Sequence, residues 1–346
     1  MEEPRMSLEQ PKVPITDLTN HTRTTIPSYF DELLTELAPH SDEAQMDNPM
    51  IYSQVYSPDE LRQRFARIKH VFSDADGTIL PEGLHAIPSV YVHLLHKLTK
   101  VSIQTTIITG KPLAEVAPIF KAAGNDAPFD VICEKGAYIA SITDSNEVKI
   151  DHLLSSVELE KEVLEARIAW EEFTFTTQTK SRPYYFGWSG SGQHRSLISI
   201  DIFAEQPPKD YLMMTGQIRD TIKLKNKELL KIAETEIEEF FKSIQPEWRV
   251  VHLGNANTDI TPHLIEKDIA LESSMSFQNA KGVLLLGDTN NDRAMFSLKN
   301  RSPKVTAGQV LYRQGNIPLI ESSDAVTIGM ANCLPYLRLL LETHSK

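Results

Sequence analysis

The sequence predicts an α/β fold: a parallel sheet with covering helices, interrupted by a second, smaller α/β module. Three observations carry this. Short apolar runs alternate with amphipathic helical stretches from 57 to about 142, the order that builds a parallel sheet. From about 143 to 258 the alternation gives way to two long helical patterns and separate strand-like segments. It then resumes from 259 to 346 with Gly282-Val283-Leu284-Leu285-Leu286, an unbroken apolar run suited to a strand buried on both faces.

Residues 1–56 precede this pattern. Prolines recur there, and the clear helical face is Phe30, Leu33, Leu34 and Leu37 within 28–37,. We read the segment as an acidic extension, partly disordered or docked through that helix; an oligomerisation or lid element is the other reading. Ser57-Pro58-Asp59-Glu60 then opens a helix. It offers a capping hydroxyl, a proline whose φ suits the first turn, and acids at the positive end of the helix dipole.

That helix is predicted to reach 68. A strand at 70–73 follows, then a helix at 88–98 and a strand at 103–108 that ends at Thr109-Gly110. A helix at 112–123 and a strand at 131–133 lead into Glu134-Lys135-Gly136-Ala137. Within the interrupting module, 157–173 and 226–244 are predicted helices. Its strands are expected at 184–188, 197–203 and 249–253, with Gly190-Ser191-Gly192 as a turn. Beyond it, 262–271 is helical and contains Lys267. The strand at 282–286 runs into Gly287-Asp288-Thr289-Asn290-Asn291-Asp292. Short strands at 304–307 and 325–328 and a helix at 334–342 complete the order. The expected division is 1–56 extension, 57–142 with 259–346 core, and 143–258 inserted cap.

Composition narrows the function. The chain has 346 residues and a net charge of −12, enough length for a large core and two domains. Residues 1–60 hold twelve acidic and three basic side chains. An acidic tail and the lack of a basic stripe argue against a nucleic-acid partner. No apolar run approaches the roughly eighteen residues of a membrane span, and Met-Glu-Glu-Pro-Arg lacks the apolar core of a signal peptide,. We therefore expect no membrane partner and a cytoplasmic location. Cys133 and Cys333 are the two cysteines, both in apolar stretches. They read as buried thiols of a reducing compartment, too few for a cysteine zinc site.

Chemistry concentrates at predicted strand ends. In Val71-Phe72-Ser73-Asp74-Ala75-Asp76-Gly77-Thr78 two carboxylates stand two positions apart after an apolar strand. Strand periodicity sends both to one side, and Gly77 lets the chain turn away. Two converging carboxylates call for a cation, and hard Mg2+ suits oxygen ligands. A calcium loop opens similarly, but its later ligands and closing glutamate do not follow here. Ligands of open parallel sheets sit outside the carboxyl ends of the strands. Neighbouring strands would thus gather Asp74, Asp76, Asp288 and Asp292 with Thr78 and Thr109, and Lys267 within reach. For Thr109-Gly110 an ordinary helix cap, and for Lys267 a solvated helix lysine, are the plain alternatives.

Taken in order, Asp74 to Thr78, Thr109-Gly110, Lys267, and Gly287 to Asp292 resemble the four motifs of the haloacid-dehalogenase-like hydrolases,. The resemblance covers roughly 66–346. The insertion between the second and third motifs resembles the Cof-like, sugar-phosphate phosphatase subgroup, whose relatives include the sucrose- and trehalose-phosphate phosphatases and the phosphomannomutases. Gly136-Ala137 resembles that subgroup's Asn-Gly-Ala stretch, except that Lys135 stands where Asn is usual.

The resemblance implies a Rossmann-like core and a Mg2+-dependent phosphatase acting on a small phosphorylated metabolite, with a sugar phosphate as the expected substrate class. Asp74 would be the nucleophile, forming an aspartyl-phosphate. Asp76 would be the general acid and base. Thr109 and Lys267 would hold phosphoryl oxygens. Asp74, Asp76 through its carbonyl, Asp288, and Asn291 or Asp292 would hold Mg2+. Asp292 has a second reading, as a structural partner of Lys267. A phosphomutase, or a non-catalytic phospho-ligand binder on the same scaffold, stands as the alternative.

Substrate contacts are nominated at Thr78, Gly110 and Lys135, at Arg182, His194 and Arg195 in the cap, and at Asn255 and Asn257 on the return to the core. Asp259 lies on that return and is a further candidate for lining the cleft. Arginine pairs with phosphate or carboxylate, and aromatics such as those of Tyr184-Tyr185-Phe186-Gly187-Trp188 stack on sugars or bases. For Tyr185 and Phe186 a packed strand face is the preferred reading.

Overall fold

The computed structural model describes residues 51–345 except 52, 54, 81–86, 113, 116–128, 143–147, 178–181, 190–193, 212–220, 254–255, 312–322 and 329–331. The helices expected at 28–37 and 112–123, the turn at Gly190-Ser191-Gly192, and Asn255 lie wholly or largely outside the described residues.

Two sheets organise the chain. The larger has eight strands in the order β12-β11-β10-β1-β2-β3-β4-β5. These are β1 (His70–Asp74), β2 (Gln104–Ile108), β3 (Asp130–Cys133), β4 (Tyr138–Ile142), β5 (Val148–His152), β10 (Val283–Gly287), β11 (Val305–Leu311) and β12 (Ala325–Ile328). Pairing is parallel from β12 to β3 and antiparallel for β3–β4 and β4–β5. The sheet is therefore mixed, mostly parallel. The smaller sheet is antiparallel, in the order β6-β7-β9-β8. Its strands are β6 (Tyr185–Trp188), β7 (Ile198–Phe203), β8 (Arg249–His252) and β9 (Asn257–Thr261).

β1 lies at the centre because it is apolar on both faces. Val71, Leu284 and Leu286 pack with Leu61, Phe65, Tyr91, Leu95, Leu98, Leu337 and Leu340, side chains of the helices Pro58–Phe65, Ser89–Lys100 and Leu334–His344. On the other face Phe72, Val283 and Leu285 pack with Leu271, Phe277, Met295, Phe296 and Leu298. Each such side chain, fully buried, stabilises the fold by roughly 1.5–3 kcal/mol. The first helix starts as its sequence predicts. Ser57 Oγ accepts from Glu60 N–H at 3.3 Å, and Glu60 Oε2 accepts from Ser57 N–H at 2.8 Å, a reciprocal capping box.

The cap forms a second core. The helices Val157–Thr177 and Lys227–Ile244 cover one face of the small sheet, where Trp170, Ala233, Ile237 and Phe241 meet Ile198, Ile200, Ile202 and Ile260. The opposite face carries Ser199, Asp201, Asn257 and Asp259, all buried.

Several elements differ from expectation: β4 and the short helix Met275–Asn279 appear where none was predicted, the first helix stops at Phe65 short of 68, and three further cases have a plain physical reason. β9 is a full strand, although Asn257-Thr258-Asp259 is polar. Its even positions pack on the cap core while its odd positions carry polar groups, so no apolar run marks it. β5 is exposed along its whole length, so it shows no hydrophobic alternation, yet it pairs with β4 in the large sheet. The helix expected at 262–271 starts only at Lys267 and runs to Ser273, because Glu266 is still extended, with φ −147°.

Candidate active site

The strand order places the ends of β1, β10 and β2 side by side, so the motifs they carry meet. Asp74 is the last residue of β1. Gly77, at φ 78°, then turns the chain back, its N–H donating to Leu80 O at 2.8 Å. This left-handed conformation is one glycine adopts without steric cost. At the end of β10, Gly287 has the Asp292 carboxyl packed on its Cα; a β-carbon there would lie 2.5 Å from Asp292 Cγ. That close approach lets Asp292 Oδ2 accept from the N–H groups of Asp288 and Thr289 at 3.0 and 3.3 Å.

Lys267 ties the cluster together. Its Nζ donates to Asp74 Oδ1 at 2.5 Å and to Asp292 Oδ1 at 2.7 Å. Burial alone would lower its pKa, but Asp292 and Asp74 outweigh that and hold the ammonium well above its ordinary range. Burial pushes Asp74 up to about 7 against the pull of Lys267, with Asp292 adding to the rise. Asp288 is raised well above the usual carboxylate range, by burial first and then by Asp74 and Asp292. Thr78 Oγ1 donates to Asp288 Oδ1 at 3.5 Å.

These residues fit a divalent cation. Asp74, Asp288 and Asp292, all buried, each offer a carboxylate oxygen, and the three oxygens lie within 4.8 Å of one another. The charge of three buried carboxylates exceeds that of the lysine that bonds two of them. An all-oxygen set of this kind suits a hard cation such as Mg2+. Asn291 is exposed, on the short turn Asn290–Asp292 next to the cluster.

The second strand end completes the core side. The Thr109 hydroxyl accepts from Lys111 N–H at 3.1 Å, and its carbonyl accepts from Lys135 N–H at 2.9 Å. Lys111 Nζ reaches Asp76 Oδ1 at 3.0 Å. Gly110 leaves room for the Lys135 stem, whose Cγ and Cε would lie 4.0 Å from a β-carbon there. Lys135 Nζ crosses to the cap and meets Asp259 Oδ2 at 2.6 Å.

A family model for the haloacid dehalogenase-like hydrolases matches residues 71–307. The chain belongs to that family. As in the Cof-like subgroup, the antiparallel cap sheet is inserted between the Gly110 motif and Lys267. Solved structures show the same fold. A haloacid dehalogenase-like hydrolase from Bacteroides thetaiotaomicron aligns with a TM-score of 0.50 at 16% identity, over 80% of this chain and 99% of its own. The C-terminal domain of Candida albicans trehalose-6-phosphate phosphatase aligns with a TM-score of 0.50 at 14% identity, over 85% and 98%. No curated protein sequence matches the chain.

In this hydrolase the nominated cap residues part company. The Arg195 and Ser196 N–H groups donate to the buried Glu134 carboxylate of the core at 2.9 and 2.7 Å, while the Arg195 side chain is exposed. The His194 ring is under the influence of Asp259, Glu115, Arg167 and Lys135. Arg182 is engaged elsewhere: it pairs with Glu236 and lies over Phe173 and Phe186 at 5.5 and 5.6 Å. Asn257 Nδ2 donates to Asp201 Oδ1 at 2.8 Å within the cap sheet. Phe186 packs edge-on against Trp170, as a strand face does. Lys111 and Glu134 were missed by sequence reasoning. Lys111 directly follows Thr109-Gly110, and that adjacency was the available signal.

Proposed function

We propose that this hydrolase is a Mg2+-dependent phosphatase of small phosphate monoesters, with a sugar phosphate as the favoured substrate class. The observation that carries the reading is Lys267 bridging Asp74 and Asp292, beside Asp288, at the ends of adjacent strands. Lys267 holds Asp74 Oδ1, so Oδ2 is the oxygen that attacks phosphorus. The Oδ2–P bond forms as the P–O bond to the leaving alcohol breaks, giving an aspartyl-phosphate. Asp76, held by Lys111 and partly open to solvent with its side chain 41% exposed, delivers a proton to the leaving oxygen. It then takes one from the water that clears the intermediate.

Thr109 and Lys267 bind phosphoryl oxygens. Asp74, Asp288 and the Asp76 carbonyl would hold Mg2+, with Asn291 or Asp292 supporting. When bound, the ion supplies charge that offsets the carboxylates and the negative charge of the transferring group. The cap encloses the leaving group and excludes water.

Phosphate release from p-nitrophenyl phosphate tests the reading. Turnover with Mg2+ that is abolished in Asp74→Asn supports it. Inactivity of the wild type with Mg2+ across sugar phosphates, nucleotides and other phosphomonoesters overturns it.

A further inference from the structure

Lys135 spans the space between the phosphate-binding strand end and the cap. Its N–H is bonded to the Thr109 carbonyl, its stem lies along Gly110, and its ammonium meets Asp259 on β9. Lys135 therefore links the Thr109-Gly110 strand end to the cap sheet through one side chain.

The backbone that delivers Lys135 is strained. Glu134 and Lys135 have φ values of 48° and 56°, consecutive left-handed residues of a kind that L-amino acids with a β-carbon adopt at a steric cost. The Glu134 carboxylate, fully buried, compensates by accepting from Arg195 and Ser196 N–H. Tyr138 OH also bonds Ser196 Oγ at 2.7 Å and Glu160 at 2.8 Å. The cap is thus set against the core in a register that brings Asp259 to Lys135.

Around this pair the cap presents a polar, uncharged balance. Lys135 and Asp259 cancel in charge, and both side chains are about nine-tenths buried. Ser199 Oγ donates to the other Asp259 oxygen at 2.5 Å. His194 Nδ1 is sealed from solvent and has no hydrogen-bond partner among the described residues. Burial pushes this imidazole down to about 4, so it is neutral at pH 7.

We propose that Lys135 and Asp259, with Ser199 and His194 Nδ1, are the specificity-determining residues for the leaving group, and that they select a neutral, hydroxyl-rich alcohol. A hydroxyl both donates and accepts, and this cluster offers an ammonium donor, a carboxylate acceptor and two groups of mixed role. A leaving group with a second phosphate meets a pair that already cancels in charge and offers its dianion no net counter-charge, and an aromatic one leaves His194 Nδ1 buried without a partner, which is costly,. The inference rests on the proposed phosphomonoester hydrolysis.

The test compares kcat/KM for glucose 6-phosphate, ribose 5-phosphate and glycerol phosphate with p-nitrophenyl phosphate and fructose 1,6-bisphosphate. The wild type should prefer at least one neutral polyol ester over both others by tenfold or more. Lys135→Met and Asp259→Asn should each cut that preference at least tenfold, chiefly through KM. Ser199→Ala, a milder change, should cut it several-fold and serves where the others fail to fold. A wild type that prefers p-nitrophenyl phosphate or the bisphosphate overturns the proposal. So does an equal loss on every ester in the folded variants, which would mark the pair as a cap latch alone. Absence of phosphate release from any ester would instead defeat the phosphatase reading itself.

Discussion

Lys267 Nζ and Asp292 Oδ1 lie 2.7 Å apart, on side chains that are 6% and 0% exposed. The same ammonium holds Asp74 Oδ1, so one cation serves two acids from different strand ends. Removing it leaves Asp74, Asp288 and Asp292 together without that counter-charge. Breaking a buried pair from one side costs about 3–5 kcal/mol. Lys267→Met should therefore melt well below the wild type in EDTA, recover part of the difference in Mg2+, and lose at least about 100-fold in phosphate release. Thermal melts in the two buffers check this; equal losses in both would show that the lysine does not balance the carboxylates.

Magnesium itself should stabilise the fold. An ion that binds only the native state at 100 times its Kd adds about 2.7 kcal/mol. The wild-type melting temperature should rise with added Mg2+, and Asp288→Ala should lose most of that rise. Titration by differential scanning calorimetry measures both. A rise of the same size in the variant would remove Asp288 from the ion's ligands.

Acid should weaken the core through His70. This ring is 2% exposed, stacks on Phe72 at 4.2 Å between centroids, and shares a hydrogen bond with Thr106 at 2.8 Å. Burial lowers its pKa to about 4. The unfolded chain takes up this proton near pH 6.5 and the folded one only near 4. The stability it contributes is full above pH 6.5 and is lost as pH falls toward 4, a change of roughly 3 kcal/mol at most. His70→Gln should lose less stability than the wild type between pH 7 and 5, read by urea melts at each pH.

The cap should be separable from the core by one substitution. Trp170 contacts Phe173, Phe186, Phe240 and Phe241 with centroids 5.0 to 5.4 Å away. Trp170→Ala removes the hub of that cluster and should cost about 3–5 kcal/mol. Hydrogen exchange should then show faster exchange in Lys227–Ile244 than in β1 and β10, which belong to separate clusters of buried side chains. Uniform acceleration through both sheets would mean that cap and core unfold together.

Much of this molecule was legible in one dimension. The apolar runs that end in Asp74 and Gly287 announced buried strands, and Ser57 to Glu60 announced a capped helix that starts as expected but ends at Phe65, short of 68. Local signals of this kind are read within a few residues. Strand β9 escaped because its odd positions are polar and lie on the face opposite the cap core, and β5 because it is exposed throughout. Lys267 was ambiguous because acids flank it on both sides; its partner Asp74 lies 193 residues away.

What the sequence by itself determined is the set of reactive groups and their order at strand ends, since strand periodicity and parallel topology send such groups to one side of a sheet. Only the tertiary structure decided which charges meet. It turned Lys267 inward to Asp74 and Asp292, committed Arg182 to Glu236, gave Asp76 to Lys111, and carried Lys135 across to Asp259. Ion pairing depends on distance and burial, and neither is a property of neighbours in the chain.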